Sequence, residues 1–344
     1  MHKRALNLRQ RGAVGMIAPM LLTVFLSIGV IAVDIAHLYV VRNELQNAAD
    51  AAALAGAAGL NPVSPTPQWS NAVTKGTNAV KLNGSDGKTL ATGTVTAGYW
   101  NLTGSPAGMQ AQTITPGTND MPAVQVTVAR SGTGGTAVNG GAISGWLASV
   151  FGFGTAGVQA TAVAVIAAPG TANPGALFPV ALNKCLFDLY WNYSTNQPLN
   201  DPSTGQPYVL DINSSYGPSS GTCASGEWTG FTGATDASTE KGLVTSGNPT
   251  AVSIGQNINI STGVKTSVYM AIPATPLTVT MPVVSPLSPG ATSPVYAFAG
   301  FVITKVFING SHSYIEGHFT TNVKVSGGGT GTNYGAYVPP RLAD

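Results

Sequence analysis

The sequence predicts an α+β fold that is mainly β. One long N-terminal membrane-spanning helix is followed by a small α+β unit and a β-sandwich or barrel-like domain. An uncharged apolar run fills residues 13–33 and passes into an Ala- and Leu-rich stretch. Only 8% of the 344 residues are charged, while Gly (43) and Pro (23) are abundant, which is typical of turn-rich β domains. Segments in which Val, Ile or Tyr alternate with other residues recur after residue 92, as in half-buried strands.

The first element is a helix over residues 13–60. About twenty uncharged residues, each rising about 1.5 Å, span the hydrocarbon core of a bilayer. From Asp34 the segment is rich in Ala and Leu, so the helix is expected to continue beyond the membrane until Pro62 ends it. The tail of residues 1–12 contains basic residues and no acid. This charge predicts a single-pass membrane protein with a cytoplasmic N-terminus and its bulk on the other side of the membrane.

A cleaved secretory signal is the main alternative to this anchor. Such a signal has an apolar core of about 7–15 residues and a cleavage site directly after it. Here the apolar run is longer and continues as a helix, which favours an uncleaved anchor. Cleavage after Arg11 by a prepilin peptidase would place Ile17 where pilin-like substrates carry Glu, which argues against that processing.

The same region carries a resemblance to a known family. Arg11-Gly12, the apolar run, Ala32-Val33-Asp34 and the block LQNAADAAALAGA at residues 45–57 follow one another. This succession resembles the N-terminal segment of TadG-like proteins of the bacterial tight-adherence (Flp) pilus-assembly systems. The resemblance implies a non-enzymatic membrane-anchored component, a minor pilin or a base subunit, whose N-terminal helix packs against other pilus-assembly or pilin subunits. Together with the charge of the tail, it implies the bacterial inner membrane, with the bulk of the chain in the periplasm or at the surface. A membrane-anchored adhesin for a host or matrix ligand is the alternative.

Part of the helix is spaced like the seam of a heptad repeat, with intervals of three and four residues. The seam consists of Leu38, Val41, Leu45, Ala48, Ala52, Ala55 and Gly59. Because it tapers from Leu and Val to Ala and Gly, the closest backbone contact is expected at its far end. We expect a partner helix on this seam; the alternative is packing on the chain's own β-rich part.

Residues 61–170 are predicted to form the small α+β unit. It opens with a stiff Pro-rich connector at 61–68. The predicted elements after it are a helix at 69–82, a turn at 83–87, strands at 92–101 and 122–130, a helix at 142–152 and a strand at 158–168.

Residues 171–325 are predicted to form the β-rich domain, as a sandwich or barrel. Its predicted strands are 177–182, 208–212, 251–260, 264–272, 277–284, 295–308 and 314–325. Residues 326–344 begin with a Gly-rich run and are predicted to be a flexible C-terminal tail.

The 2 cysteines, Cys185 and Cys223, are predicted to form a disulfide, because an even pair in an oxidising compartment is more often bridged than free. Trp191, Tyr193 and Trp228 lie near them in sequence. They are expected to cover a β core, which is commoner than a binding patch.

No catalytic, metal or cofactor site is predicted. His312 and His318 match no zinc motif, although their even spacing on one strand would place both on one face. Asp211, Asn213 and Ser215 come close to the Asp-x-Ser-x-Ser metal motif of the von Willebrand A domain that some TadG proteins carry, but Asn213 departs from it. A net charge of +2, with no basic stripe beyond the N-terminus, argues against nucleic acid as a partner.

Overall fold

The computed structural model describes residues 13–60, 67–117, 119–145, 154–212 and 223–343. It confirms an α+β fold that is mainly β, with one long N-terminal helix. Contacts divide the chain into two units that interleave along the sequence. The first unit comprises Met1–Ala52, Thr77–Thr94 and Val126–Ala162, and the second comprises Ala53–Gly76, Val95–Gln125 and Val163–Asp344. The domain boundaries given above stay predictions.

The helices of the described residues are α1 (Ala13–Ala57), α2 (Trp69–Val80), α3 (Lys184–Tyr190), α4 (Ala237–Ser246) and α5 (Thr266–Tyr269). Short 3-10 turns lie at Gly134–Thr136 and Gly310–His312. Side-chain caps fix the starts of α3 and α4. The Asn183 side chain accepts from the backbone N–H of Cys185, and Asp236 accepts from the first turn of α4.

The strands of the described residues are β1 (Gly84–Ser85), β2 (Lys88–Thr89), β3 (Thr94–Asn101), β4 (Met109–Gln110), β5 (Asp120–Arg130), β6 (Val158–Ala167), β7 (Thr171–Ala172), β8 (Val180–Asn183), β9 (Trp191–Asn192), β10 (Gln197–Pro198), β11 (Leu210–Ile212), β12 (Gly226–Phe231), β13 (Val252–Ser253), β14 (Asn257–Ile260), β15 (Leu277–Val284), β16 (Thr292–Phe307), β17 (Tyr314–Phe319), β18 (Val323–Lys324), β19 (Gly327–Gly328), β20 (Asn333–Tyr334) and β21 (Ala336–Leu342). One large sheet has the order β18-β21-β6-β5-β3-β4.

The helix α1 is continuous over 45 residues, as the apolar run and the Ala-rich block predict. Pro19 lies inside it, in the second turn, and removes the backbone N–H that would donate to the Gly15 carbonyl. After α1, the backbone N–H groups of Gly59 and Leu60 donate to the carbonyls of Gly56 and Ala57. The helix therefore ends where the sequence predicts.

A two-residue turn joins β1 to β2. Its residues, Asp86 and Gly87, have φ values of 51° and 67°. A type I′ turn needs positive φ at both positions, and Asp-Gly supplies it readily. Ser85 pairs with Lys88 directly before and after the turn. The turn predicted at 83–87 is confirmed as the tip of a hairpin, with the Asp86 side chain on that tip.

In the second unit, five strands of an eight-stranded sheet close into a ring. The strand β15 pairs with both β16 and β8, and β12 pairs with both β8 and β14. The strand β14 pairs in turn with β16, which closes the ring β16-β14-β12-β8-β15. The strands β17 and β11 continue from β16 outside the ring. The predicted β-rich domain is thus of the barrel type.

Aromatic side chains dominate the apolar core against this sheet. Phe187, Phe301, Phe319 and Tyr334 are at most 1% exposed. Phe187 stacks on Tyr334 with ring centroids 4.0 Å apart. Each fully buried side chain of this size contributes about 1.5–3 kcal/mol relative to an exposed one.

The segment 264–272 is a correction to the predicted strands. It contains the helix α5. Val264, Val268 and Ile272 recur every four residues and all contact the core, which is a helical spacing. The Val and Ile content suggested a strand, but the four-residue spacing of the apolar side chains is that of a helix, and a helix is what forms.

The flexible tail is a second correction. Residues 327–342 form β19, β20 and β21, and β21 pairs with β6. The Gly-rich run serves close approach of backbones: a Cβ on Gly327 would collide with the carbonyl of Thr171, and one on Gly331 with that of Pro169.

The helix predicted at 142–152 is not seen where the chain is described. Ile143 forms an antiparallel bridge with Ala156 instead, and residues 146–152 lie outside the described residues. Most of the Pro-rich connector, residues 61–66, also lies outside them.

Candidate assembly site on the N-terminal helix

The first half of α1 exposes apolar side chains on all sides. The large exposed hydrophobic residues there are Met16, Ile17, Met20, Leu21, Leu22, Val24, Phe25, Leu26, Ile28, Ile31, Val33, Ile35, Tyr39 and Val40. Among the described residues, α1 is the one helix long and apolar enough to cross a membrane, and none of its most apolar 18-residue window is buried. An all-round apolar surface of this length fits lipid rather than water.

The first buried apolar side chain of α1 is Val41, which follows the buried Asp34 by seven residues. Of the seam residues, Val41, Leu45, Ala48, Ala52 and Gly59 are buried, and Leu38 and Ala55 are half-buried. The chain's own residues therefore cover most of the seam. A partner helix on this face would need them to move away, and such an interface stays a prediction.

The hairpin tip binds α1 just beyond its apolar run. Asp86 Oδ1 lies 2.9 Å from His37 Nε2, and the backbone N–H of Asp86 donates to Glu44 Oε2 at 2.7 Å. His37 and Glu44 are seven residues apart, which places them two turns apart on one helix face. One turn residue thus contacts the helix at two heights.

Arg130 binds Asp86 from within the first unit. It is 3% exposed, and its Nη1 donates to Asp86 Oδ2 at 2.9 Å. Its other hydrogen bonds go to the backbone carbonyls of Ser85, Gly140 and Gly141. The hydrogen bond with His37, together with Arg130, holds the pKa of Asp86 below its usual value against the opposing effect of burial. The carboxylate is therefore charged at neutral pH and stabilises a buried cation.

Close backbone packing replaces polar contacts at the far end of the seam. A Cβ on Gly59 would lie 2.8 Å from Ala72 Cα in α2, and one on Gly56 would lie 2.8 Å from Val124 Cγ1. Asn71 Nδ2 also donates to the Gly59 carbonyl at 2.8 Å. The small residues at this end therefore make room for α2 of the same chain.

The predicted disulfide is present in the second unit. Cys185 and Cys223 are bonded, with Cα atoms 6.0 Å apart. Trp191 and Trp228 are 3% and 2% exposed, so they belong to the core, as expected. Tyr193 is 46% exposed, and its hydroxyl donates to an Asp188 carboxylate oxygen at 2.7 Å.

The described residues contain no group of three or more His, Cys, Asp or Glu side chains placed to hold a metal ion. His312 lies in a 3-10 turn and His318 in β17, so the two do not share a strand face. Asp211 lies on β11, which is antiparallel to β17 and unlike the parallel strands of a von Willebrand A domain. Asn213 and Ser215 lie outside the described residues.

A buried cluster of ionisable side chains was not predicted. Glu240 of α4 is 0% exposed and accepts from Lys265 Nζ at 2.9 Å. Glu227 of β12 is 2% exposed; its Oε1 accepts from the backbone N–H of Trp228, and its Oε2 has no partner among the described residues. Burial raises the pKa of Glu227 to about 8 and also raises that of Glu240. Since these residues come from three separate elements, no local sequence pattern could identify them.

Two family models match the N-terminal part of the chain. Residues 12–59 match the model described as TadE/G-like Flp pilus assembly, and residues 55–164 match the one described as Tad-like Flp pilus assembly. Comparisons with curated proteins and with solved structures find no match. The first match covers α1 and the seam, and the second covers Asp86 and Arg130.

Proposed function

We propose that this chain, a Tad-like Flp pilus-assembly protein by its residues 12–164, is a non-enzymatic minor pilin or base subunit of a tight-adherence pilus system. The matched families are pilus-assembly families, and the apolar helix supports single-pass anchoring in the membrane. Both lines point to a structural role in assembly.

The observation that carries this proposal is the change along α1 at Val41. Before it most of the large apolar side chains are exposed, and after it the same helix is packed into the fold. One rigid element thus serves as anchor and as part of the folded region. The basic residues before Ala13 support a cytoplasmic N-terminus in the inner membrane, with the remainder in the periplasm or at the surface.

Partner subunits are proposed to contact α1 within the membrane. The seam beyond Val41 is already covered, whereas the lipid-facing half is open. A Cβ placed on Gly15 or Gly29 would meet no atom within 4 Å. The two glycines are fourteen residues apart, close to four full turns, so a neighbouring helix could approach both on about the same face.

The test is deletion of the gene and complementation with the full chain. We expect loss of pili in the deletion strain, counted by electron microscopy, and recovery with the wild-type chain. Recovery should fail with Gly15→Leu, Gly29→Leu and should persist with Met20→Leu, a volume-conserving change on the opposite side of the helix. Normal pili combined with lost attachment in the deletion strain would contradict the proposal and favour a membrane-anchored adhesin.

A further inference from the structure

The first half of β15 has a backbone edge that no strand covers among the described residues. β15 pairs with β16 along its whole length, Leu277–Val284. On the other edge, β8 pairs only with Val283 and Val284. One further hydrogen bond joins the Phe178 N–H to the Thr280 carbonyl at 2.8 Å. The edge before Thr280 is therefore open.

The alternation of an antiparallel pair identifies the open groups. Successive residues direct their N–H and C=O to opposite edges. Since the Thr280 carbonyl points away from β16, the N–H and C=O of Thr278 point the same way, and neither bonds to a described residue. Pro282 belongs to the same alternate set as Thr278 and Thr280 and has no N–H, yet β15 still pairs with β16 at this position. The N–H groups of this set are therefore not needed for the pairing with β16.

This edge lines a groove of about 280 Å³ within the second unit. Its other walls include Gly175–Phe178, the end of α4 at Val244, and Lys324. Lys324 is exposed and is the single charged residue among the lining residues. The groove therefore offers the Thr278 N–H and C=O, which bond to no described residue, beside one positive charge, and no acid is among the described lining residues.

We propose that this groove binds an extended peptide segment that carries a carboxylate. The segment would add as a strand beside Leu277–Val279, where Thr278 supplies one donor and one acceptor. At about 3.3 Å per residue, this edge accommodates about three residues. Lys324 attracts the carboxylate, which sets the preferred charge of the ligand. This inference does not depend on the proposed role in pilus assembly.

The test titrates the full chain in detergent with fluorescently labelled Thr-Val-Thr-Val-Thr bearing a free C-terminal carboxylate, followed by anisotropy. We expect saturable binding and slower hydrogen exchange in the segment that contains Thr278. The C-terminal amide should bind several-fold more weakly. Two further peptides carry N-methyl groups on alternate backbone nitrogens, each peptide on a different alternate set. One of them should not bind, because its methyl groups block the N–H groups that would donate to the edge of β15. Binding of both methylated peptides, or no binding of the carboxylate peptide at millimolar concentration, would overturn the proposal.

Matched variants assign the binding to this groove. Thr278→Pro removes the open donor and should abolish binding, while Thr278→Val keeps the backbone N–H and should bind like the wild type. Lys324→Gln should remove the preference for the carboxylate over the amide, and Lys305→Gln, on β16 outside the groove, should not. Binding of the peptide by Thr278→Pro as tightly as by the wild type would contradict the proposal. If Thr278→Pro does not fold, the peptide series on the wild-type chain tests the proposal instead.

Discussion

Glu227 is a carboxylic acid placed among apolar side chains. Beside it is a cavity of about 10 Å³, lined by Val180, Trp228 and Tyr269 among others. Burial disfavours the charged form and raises the pKa of Glu227 from 4.5 to about 8. At neutral pH the folded chain therefore holds a proton that the unfolded chain releases, and Glu240 is shifted in the same direction.

This difference predicts a pH-dependent stability. Below about pH 4.5, Glu227 is protonated in both states. Between about pH 4.5 and 8 the folded state binds more protons, so the free energy of unfolding falls as pH rises, and the fall from Glu227 ends above about pH 8. Glu227→Gln should remove most of this fall. At pH 9 its free energy of unfolding should be higher than that of the wild type by on the order of a few kcal/mol. Urea unfolding at pH 5, 7 and 9 measures it, with Asp201→Asn on the surface as control. Equal falls in wild type and Glu227→Gln would contradict the prediction.

The disulfide is the second residue-scale feature with a measurable effect. Cys185 and Cys223 are separated by 38 residues, and closing a loop of that length stabilises the folded state by about 4 kcal/mol in the chain-entropy estimate. The double variant Cys185→Ser, Cys223→Ser should lose stability of that order in chemical unfolding. Mass spectrometry of the wild type, alkylated without prior reduction, should show that neither cysteine has been alkylated. Full alkylation of both in protein from the native envelope would reject the bond.

At the scale of elements, the hairpin tip is predicted to fix α1. Asp86→Asn keeps a side chain that tolerates the positive φ but removes the charge that pairs with buried Arg130. We expect a loss of about 1–3 kcal/mol in the free energy of unfolding. Hydrogen exchange should also increase around residues 37–44, where Asp86 contacts the helix. Because the pKa of Asp86 is lowered, its contribution is present above about pH 4 and is lost as the pH falls below its usual value of 3.8.

An effect confined to the turn, with unchanged exchange in α1, would show that the hairpin does not hold the helix. Lys88→Gln, in the same hairpin on the other side of the turn, serves as the matched control and should leave both measurements near those of the wild type.

The seam allows a second element-scale prediction. Ala52 is 0% exposed, so Ala52→Leu should overpack the chain's own interior and cost about 1–3 kcal/mol. Ala51→Leu, on the exposed side of the same turn, should have little effect on unfolding. A partner helix on the seam, as the sequence led us to expect, would instead make Ala52→Leu, Ala55→Leu abolish assembly while the folded part remains stable. Lost assembly at unchanged stability would restore the seam as a partner interface.

The elements that the sequence predicted best are those whose signal is local. The strand β15 alternates, and α1 has its apolar run and Ala-rich block, so both were located to within a few residues. The helix α5 was missed because Val and Ile favour strands, although their spacing is helical. The final strands were missed because Gly327 and Gly331 suggested mobility, while tertiary contacts require their lack of a side chain.

The candidate site could be predicted only in part. The seam and the Asp-Gly turn have local patterns, but the pairing of Asp86 with His37, Glu44 and Arg130 joins residues 42 to 49 positions apart. Likewise, nothing in the sequence relates Glu227 to Lys265. Such contacts depend on how distant segments pack in the fold, and no local pattern in a single sequence predicts them.

For the whole molecule, the main prediction is orientation across the membrane. A reporter active only in the periplasm should be active when fused after Asp344 and inactive when fused before Met1, because basic residues precede the apolar run. Replacing Lys3, Arg4, Arg9 and Arg11 together by Asn should reduce this asymmetry. An inactive reporter in a stable C-terminal fusion would reverse the assigned orientation.

The unbroken α1, bound by Asp86 at two heights, also has a mechanical consequence. A helix turns by about 100° and rises by about 1.5 Å per residue. One residue added in its exposed apolar half would therefore rotate the groups bound to α1 after Asp34 by about 100° relative to that half. Seven added residues would restore the orientation of these groups to within about 20° while raising them by about 10 Å. The number of residues in α1 therefore sets the rotational orientation of the folded part relative to the apolar half of the helix.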